Sequence, residues 1–349
     1  MTLVVPLAQA GGAASVGGKG ASLGELLRAG IRVPPGFAVT VAAFQAAITT
    51  IDPNGRQRAG LGALDPGDLP GIAARAAALR DAITAAPVPD DVTAAVAAAY
   101  AALPDPDVAV RSSATMEDSA TASFAGLQDT YLGVYGLAGV LDAVRRCWAS
   151  LYNDESVAYR RRIGLSEQSL SMAVVVQVML GPRAAGVAFT RSPVTGDRSV
   201  VAIEGTWGLG SALVAGDVTP DSFTVSKVTG EITARRVSRK ATIHSPGPRG
   251  AGPRVTGTPP ALRDESCLTD DEIRALVTVA LRVEKHYGSP QDIEWALLEG
   301  DTPLEDRFFL LQSRPETAWA AREAAGTPPV ARPRPRAGDH VLSLFGKPL

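Results

Sequence analysis

Ala109-Val-Arg-Ser-Ser-Ala-Thr-Met-Glu-Asp-Ser-Ala-Thr-Ala-Ser-Phe-Ala-Gly-Leu-Gln-Asp-Thr130 is the stretch around which the rest of the chain is read. An apolar run, Val108 to Val110, predicts a buried strand that hands Arg111 to a loop crowded with small hydroxyl side chains. Ser112, Ser113, Thr115, Ser119, Thr121 and Ser123 are poor core material and good partners for oxygen. Small residues, Gly126 among them, let backbone N–H groups approach a phosphate closely, and the planar guanidinium of Arg111 suits two phosphate oxygens at once. Composition alone favours a solvated Ser/Thr-rich connector. Three other stretches shift the balance, because they read as further walls of one site.

The first is Val16-Gly-Gly-Lys-Gly-Ala-Ser-Leu-Gly-Glu-Leu-Leu-Arg-Ala-Gly30, a glycine-rich loop running into a short helix. Leu23, Leu26 and Leu27 supply the helix's apolar stripe, and Gly30 its stop. Lys19 can reach a phosphate while the glycines around it keep the backbone close. A P-loop is excluded, since Ala13 stands where that pattern needs its first glycine and Gly20 where it needs Ser or Thr.

The second stretch pairs Gln291-Asp-Ile-Glu-Trp-Ala-Leu-Leu298 with Arg307-Phe-Phe-Leu-Leu-Gln-Ser-Arg-Pro315 as a hairpin. Period two sets Asp292 and Glu294 on one face, with Ile293 and Trp295 on the other, and Gln312 and Arg314 likewise share a face. If those faces coincide, two carboxylates, an amide oxygen and a guanidinium meet, a set suited to Mg²⁺ plus phosphate. An ordinary half-exposed hairpin shows the same alternation. The third stretch, Met172 to Leu180, is a β-branched strand whose one polar interruption, Gln177, needs a partner from a base, a ribose edge or the backbone.

Across the 349 residues, 46% are hydrophobic and the net charge is −2, which argues for a folded soluble protein and against a general nucleic-acid or membrane-surface binder. No run is long enough to span a membrane, and the first ten residues lack the basic start of a signal peptide. Cys147 and Cys267 have no metal-like spacing, and so few cysteines suggest a reducing cytoplasm. Lysine is scarce beside arginine, so a lysine in an unusual setting is informative.

The remaining stretches read as scaffold. Ile72 to Ile83 and Val92 to Leu103 predict amphipathic helices, 52–71 a surface loop, and 137–163 one long helix with solvated or helix-end arginines at 160–162. Val200 onward predicts a strand ending at Glu204, Pro220-Asp221 a turn, and 245–260 a mobile Pro/Gly-rich connector. Thr269-Asp-Asp-Glu272 is a capping box opening a helix that Gly288 and Pro290 stop.

Taken together, these stretches resemble the N-terminal nucleotide-binding domain of the phosphoenolpyruvate synthase, pyruvate phosphate dikinase and rifampicin phosphotransferase family. Gly-Gly-Lys-Gly-Ala (17–21), Val-Arg-Ser-Ser-Ala-Thr (110–115), Ala-Ser-Phe-Ala-Gly (122–126), Trp-Gly-Leu-Gly (207–210), Gln-Asp-Ile-Glu-Trp-Ala (291–296) and Gln-Ser-Arg-Pro (312–315) follow the family's order. The resemblance implies an α+β, ATP-grasp-like fold of two lobes with the site in the cleft between them. An N-terminal lobe is expected over 1–200, a C-terminal lobe over 201–320 and a disordered Pro/Arg-rich tail over 321–349. It further implies that Lys19 and Arg111 contact the ATP phosphates and that Glu294 and Gln312 bind Mg²⁺. Ser112, Thr115, Gly126, Thr130, Asp292 and Arg314 complete the nucleotide's polar surroundings, and Gln177 and Glu204 lie toward base and ribose. Leu127 and Ser211 depart from the family's usual residues.

Full-length relatives pass phosphate from ATP to a histidine on a swivelling domain. His244, His286 and His340 all lack that histidine's Thr-Ser/Cys-His-Ala surroundings, and the chain stops before such a domain. The expectation is therefore an ATP-binding subunit serving a separate histidine-bearing swivelling or acceptor subunit. The alternatives are an inactive nucleotide-binding regulator and a kinase acting directly on a small molecule.

Overall fold

A computed structural model describes residues 2–104, 107–115, 118–119, 122–123, 129–317 and 319. Its helices and sheets give an α+β protein in two compact units. One unit comprises residues 2–24, Pro35–Met179 and Pro248–Gly252; the other comprises Glu25–Pro34, Leu180–Gly247 and the described residues from Pro253 on. The main division thus falls at Met179/Leu180 rather than at the expected 200/201. The physical reason is strand pairing, since the strand at 184–189 pairs with those at 200–207 and 291–297. The expected tail over 321–349 and the Gly126 contact lie outside the described residues.

The first unit opens with β1 (Val4–Pro6), α1 (Ala13–Arg28), β2 (Gly36–Val39), α2 (Val41–Ile51), α3 (Arg56–Gly62), α4 (Leu69–Ala85) and α5 (Asp90–Ala101). There follow β3 (Val108–Ala114), the two-residue pair β4 (Asp118–Ser119) and β5 (Ala122–Ser123), β6 (Thr130–Val134), α6 (Gly136–Ser150), α7 (Asp154–Arg162) and β7 (Met172–Val178). Its main sheet is antiparallel in the order β1-β2-β7-β3-β6. Alternation puts Val108, Val110, Val174 and Val176 on one face, where they join Phe44, Ile48, Leu79, Ile83, Val144 and Trp148 in a single hydrophobic cluster. The opposite face carries Arg111, Ser113, Val175 and Gln177.

Several expectations change here. Arg111, Ser112 and Ser113 belong to β3 itself, not to a loop after it. Buried serines are tolerated in the strand because each hydroxyl has a partner: Ser112 donates to Asp129 O at 3.1 Å and Ser113 to Val16 O at 2.8 Å. The long helix expected over 137–163 is two, α6 and α7, and the break lets both Leu151 and Tyr152 bury. Arg160, Arg161 and Arg162 close α7, the helix-end alternative, and Arg160 is 1% exposed because its fork grips Glu167 through Nε at 3.2 Å and Nη2 at 2.8 Å. The expected surface loop at 52–71 contains α3, capped by the buried Asp52 carboxylate, which accepts from Gln57 N, Arg58 N and Arg58 Nε.

The second unit takes over α1 at Glu25. Gly30, at φ 69°, ends that helix in a Schellman turn, its N–H bonding Leu27 O and that of Ile31 bonding Leu26 O, both at 3.0 Å. The unit continues with β8 (Ala184–Phe189), β9 (Val200–Trp207), α8 (Ser211–Val214), β10 (Asp221–Ser226) and β11 (Ile232–Arg236). After these come β12 (Thr242–Pro246), β13 (Pro253–Gly257), α9 (Asp270–Tyr287), β14 (Gln291–Leu297), α10 (Leu304–Arg307) and β15 (Phe308–Pro315). Six strands form an antiparallel sheet, β11-β10-β9-β8-β14-β15.

The strand expected to end at Glu204 runs on to Trp207, and Asp221, expected in a turn, is a buried residue of β10. The expected mobile connector contains β13, which pairs with β12. The capping box is present: Glu272 N–H reaches Thr269 Oγ1 at 3.3 Å and Thr269 N–H reaches Glu272 Oε2 at 2.9 Å. Thr269→Ala should cost about 1 kcal/mol of stability, read by denaturant unfolding. Both cysteines are free and buried. Among the described residues no helix is long and apolar enough to cross a membrane.

Candidate active site

In the first unit, the site residues are built on the sheet face away from the hydrophobic cluster. Arg111 pairs across β6 with Thr130 and across β7 with Val175, while Gln177 pairs with Ala109 and Gly36. Arg111 and Gln177 are 9% and 2% exposed; Thr130 is exposed at the sheet edge. Two residues along β3 from Arg111 and on its face lies Ser113, onto which α1 packs. Gly20 N–H donates to Ser113 Oγ at 3.1 Å, and Ser113 Oγ donates to Val16 O at 2.8 Å. The expected loop at 17–20 is therefore part of α1, broken at Gly17, whose backbone leaves the helical region at φ 69°, ψ 175°. A Cβ at Gly17 would sit 2.0 Å from Ser113 O, so only glycine fits there. Lys19 rides between these two anchored glycines, half-buried.

Ser112 and Thr115 do not join this group. Ser112 alternates onto the opposite face, where its hydroxyl meets Asp129 O, and Thr115 donates to Ser171 O at 3.4 Å. Both were expected as nucleotide contacts, and both hydroxyls donate to backbone carbonyls. Ser113 was passed over as one hydroxyl among many, although its two-residue spacing from Arg111 marks it as sharing that residue's face.

In the second unit, the hairpin faces coincide. Asp292 stands opposite Arg314 and Glu294 opposite Gln312, while Ile293, Trp295, Phe308 and Leu310 are buried on the other side. A register shift after Glu294, the kind of bulge that re-aims side chains beside a site, ends this polar patch. Asp292 Oδ2 lies 3.6 Å from Arg314 Nε. Burial pushes the Asp292 carboxyl up to about 7, with Glu316 adding to the rise and Arg314 opposing it. Glu204 belongs to the same row, since it pairs with Val187, which pairs with Glu294. Two strand spacings put it about 10 Å from Glu294 along the sheet.

The donor set fits Mg²⁺. Asp292 Oδ1 is buried without a hydrogen-bond partner, and a nearby cation would offset that cost. Glu294 and Gln312 bring hard oxygens from adjacent strands. Among the described residues no three His, Cys, Asp or Glu side chains gather into a protein-only cage. Mg²⁺ needs none, because it commonly keeps water and takes substrate phosphate as ligands.

The family described as "Pyruvate phosphate dikinase, AMP/ATP-binding domain" matches residues 13–332. A rifampicin phosphotransferase of a Streptomyces species is 46% identical over 320 residues, covering 90% of this chain and 36% of that protein. A probable phosphoenolpyruvate synthase of Methanothermobacter thermautotrophicus is 44% identical over 308 residues, covering 86% of this chain and 44% of that protein. A rifampicin phosphotransferase of Bacillus subtilis is 38% identical over 305 residues, 86% of this chain and 34% of that protein. The chain spans less than half the length of these curated relatives. With residues 13–332 matched, the chain belongs to the pyruvate phosphate dikinase AMP/ATP-binding domain family.

Proposed function

We propose that this chain binds Mg-ATP in an ATP-grasp-like fold and passes a phosphoryl or pyrophosphoryl group to a histidine outside its 349 residues. That histidine is carried by a separate swivelling subunit, and both proteins work in the cytoplasm. The observation that carries the reading is the register of β14 and β15, which pairs Asp292 with Arg314 and Glu294 with Gln312 on one face.

In this reading Lys19 and Arg111 hold phosphate oxygens, Arg111 through its planar fork. Thr130, Gln177 and Glu204 add polar contacts. Glu294 and Gln312 hold the metal, and Arg314 faces the transferred group with Asp292 alongside. Bound Mg²⁺ supplies charge neutralisation on the phosphate oxygens. No side-chain nucleophile is required here, because phosphoryl transfer depends mainly on positioning and electrostatics. The acceptor imidazole attacks phosphorus as the bond to the bridging oxygen breaks.

The described histidines support an external acceptor. His244 is buried, with Nδ1 3.0 Å from Ser211 Oγ and Nε2 3.2 Å from Asp217 Oδ2. His286 holds Glu25 Oε1 at 2.7 Å at the end of α9. The relatives, a rifampicin phosphotransferase and a probable phosphoenolpyruvate synthase, fit ATP as the phosphoryl donor.

Calorimetry tests the binding half of the proposal. The chain should bind ATP more tightly with Mg²⁺ than in EDTA, and Glu294→Gln should remove most of that difference while leaving metal-free binding unchanged. Equal affinity with and without Mg²⁺ in the wild type would contradict the metal assignment.

A further inference from the structure

We infer that Ser113 is a positioning residue whose hydroxyl splices the break in α1 and thereby fixes Lys19 relative to Arg111. Val16 O and Gly20 N–H are separated by four residues, the pair that an unbroken helix joins directly. Gly17 breaks the helix between them, with non-helical φ and ψ. The Ser113 hydroxyl meets both ends of that pair, donating to Val16 O at 2.8 Å and accepting from Gly20 N–H at 3.1 Å. One side chain, 0% exposed, thus uses its donor and an acceptor lone pair to satisfy both groups of the interrupted turn.

The surroundings leave this latch little freedom. Gly17 approaches Ser113 so closely that a Cβ there would lie 2.3 Å from the hydroxyl oxygen as well as 2.0 Å from the carbonyl oxygen. At Gly20, a Cβ would meet Val16 Cβ at 3.0 Å and Val175 Cγ2 at 3.6 Å. Lys19 is the residue immediately before the latched amide. Arg111 is two residues before Ser113 on the same strand and face, about 7 Å along β3. Through Ser113, the backbone that carries the lysine is fastened to the strand that carries the arginine.

The inference deepens the proposed function, since it takes Lys19 and Arg111 as the phosphate-binding pair. Loss of the latch should therefore loosen triphosphate binding and spare recognition of base and ribose. The experiment compares the wild type with Ser113→Ala, Ser113→Cys, Arg111→Ala and, as a control, Ser150→Ala. Ser150 is also buried and donates to a backbone carbonyl, Cys147 O at 2.7 Å, in α6. Affinities for Mg-ATP and for adenosine are measured by calorimetry, and amide hydrogen exchange is followed over residues 17–22 of the ligand-free chain.

Ser113→Ala should weaken Mg-ATP about tenfold, the scale of a lost hydrogen-bonded contact, with adenosine unchanged. It should also speed exchange at Gly20. Ser113→Cys should fall between the two, and Ser150→Ala should match the wild type in all three measurements. Unchanged exchange over 17–22 in Ser113→Ala would mean that Val16 and Gly20 pair without the hydroxyl, and would overturn the latch whatever the ligand data show. Parallel losses for ATP and adenosine would overturn it in favour of a general structural role. If Arg111→Ala leaves Mg-ATP binding intact, the reading of the site fails, whereas intact binding in Ser113→Ala alone removes only the latch.

Discussion

Arg111→Ala should lower ATP-dependent phosphoryl transfer by about a thousandfold or more, the scale of losing an arginine that stabilises charge on a transferring phosphoryl group. Arg111 is 9% exposed within β3, on the face opposite the main hydrophobic cluster, so its truncation leaves that cluster untouched. Cooperative thermal unfolding should persist. Arg111→Lys restores the charge without the planar fork and should recover only part of the rate. The rates are read in single turnovers with radiolabelled ATP and a histidine-bearing acceptor. Wild-type rates in Arg111→Ala would remove the residue from the mechanism.

The largest loss of stability is expected at Asp221. Lys240 and Asp221 are both fully buried, with Nζ 2.6 Å from Asp221 Oδ1 and 2.7 Å from Ser238 O. The same carboxylate accepts from Ser238 N at 2.9 Å and from Cys267 N at 2.8 Å, so it ties three segments together. Asp221→Ala strands a buried ammonium and two amides, and should destabilise the protein by about 3–5 kcal/mol. Removing both charges in Asp221→Ala/Lys240→Met should cost less than the single change at Asp221, because no unpaired charge remains. Denaturant midpoints compare the two. Additive losses would show that the pair is not coupled.

What could be read from the residues, and what could not, follows from the range of the interactions involved. Period-two alternation needs no tertiary knowledge, so the face shared by Asp292 and Glu294 and the face shared by Gln312 and Arg314 were legible in advance, whereas the register that sets Asp292 opposite Arg314 and Glu294 opposite Gln312 was not. The capping box at Thr269, whose two bonds span three residues, was legible too. The burial of Arg160 was not legible because it depends on a fork-to-fork match with Glu167, which no periodicity announces. The β12–β13 pair escaped notice because His244 is its one buried residue, which leaves no apolar alternation. Asp221 read as a turn residue because its partner Lys240 lies beyond the next strand.

At the candidate site the same distinction holds. The charged groups declared themselves by type and spacing. The hydroxyl that organises two of them did not, since Ser113 and Gly20 are 93 residues apart in the chain. For Ser112 and Thr115 the resemblance implied nucleotide contacts, and the backbone carbonyls that take their hydroxyl hydrogens, Asp129 O and Ser171 O, could not be read from the sequence.

In the proposed function, Mg-ATP donates to a histidine outside this chain. The most direct test of that transfer is ATP turnover by the purified chain, alone and mixed with a candidate histidine-bearing partner, with AMP and ADP resolved and phosphohistidine quantified. Nucleotide product should form only in the mixture, matched by label on the partner's histidine. Turnover that proceeds equally without the partner and leaves no labelled histidine would contradict it.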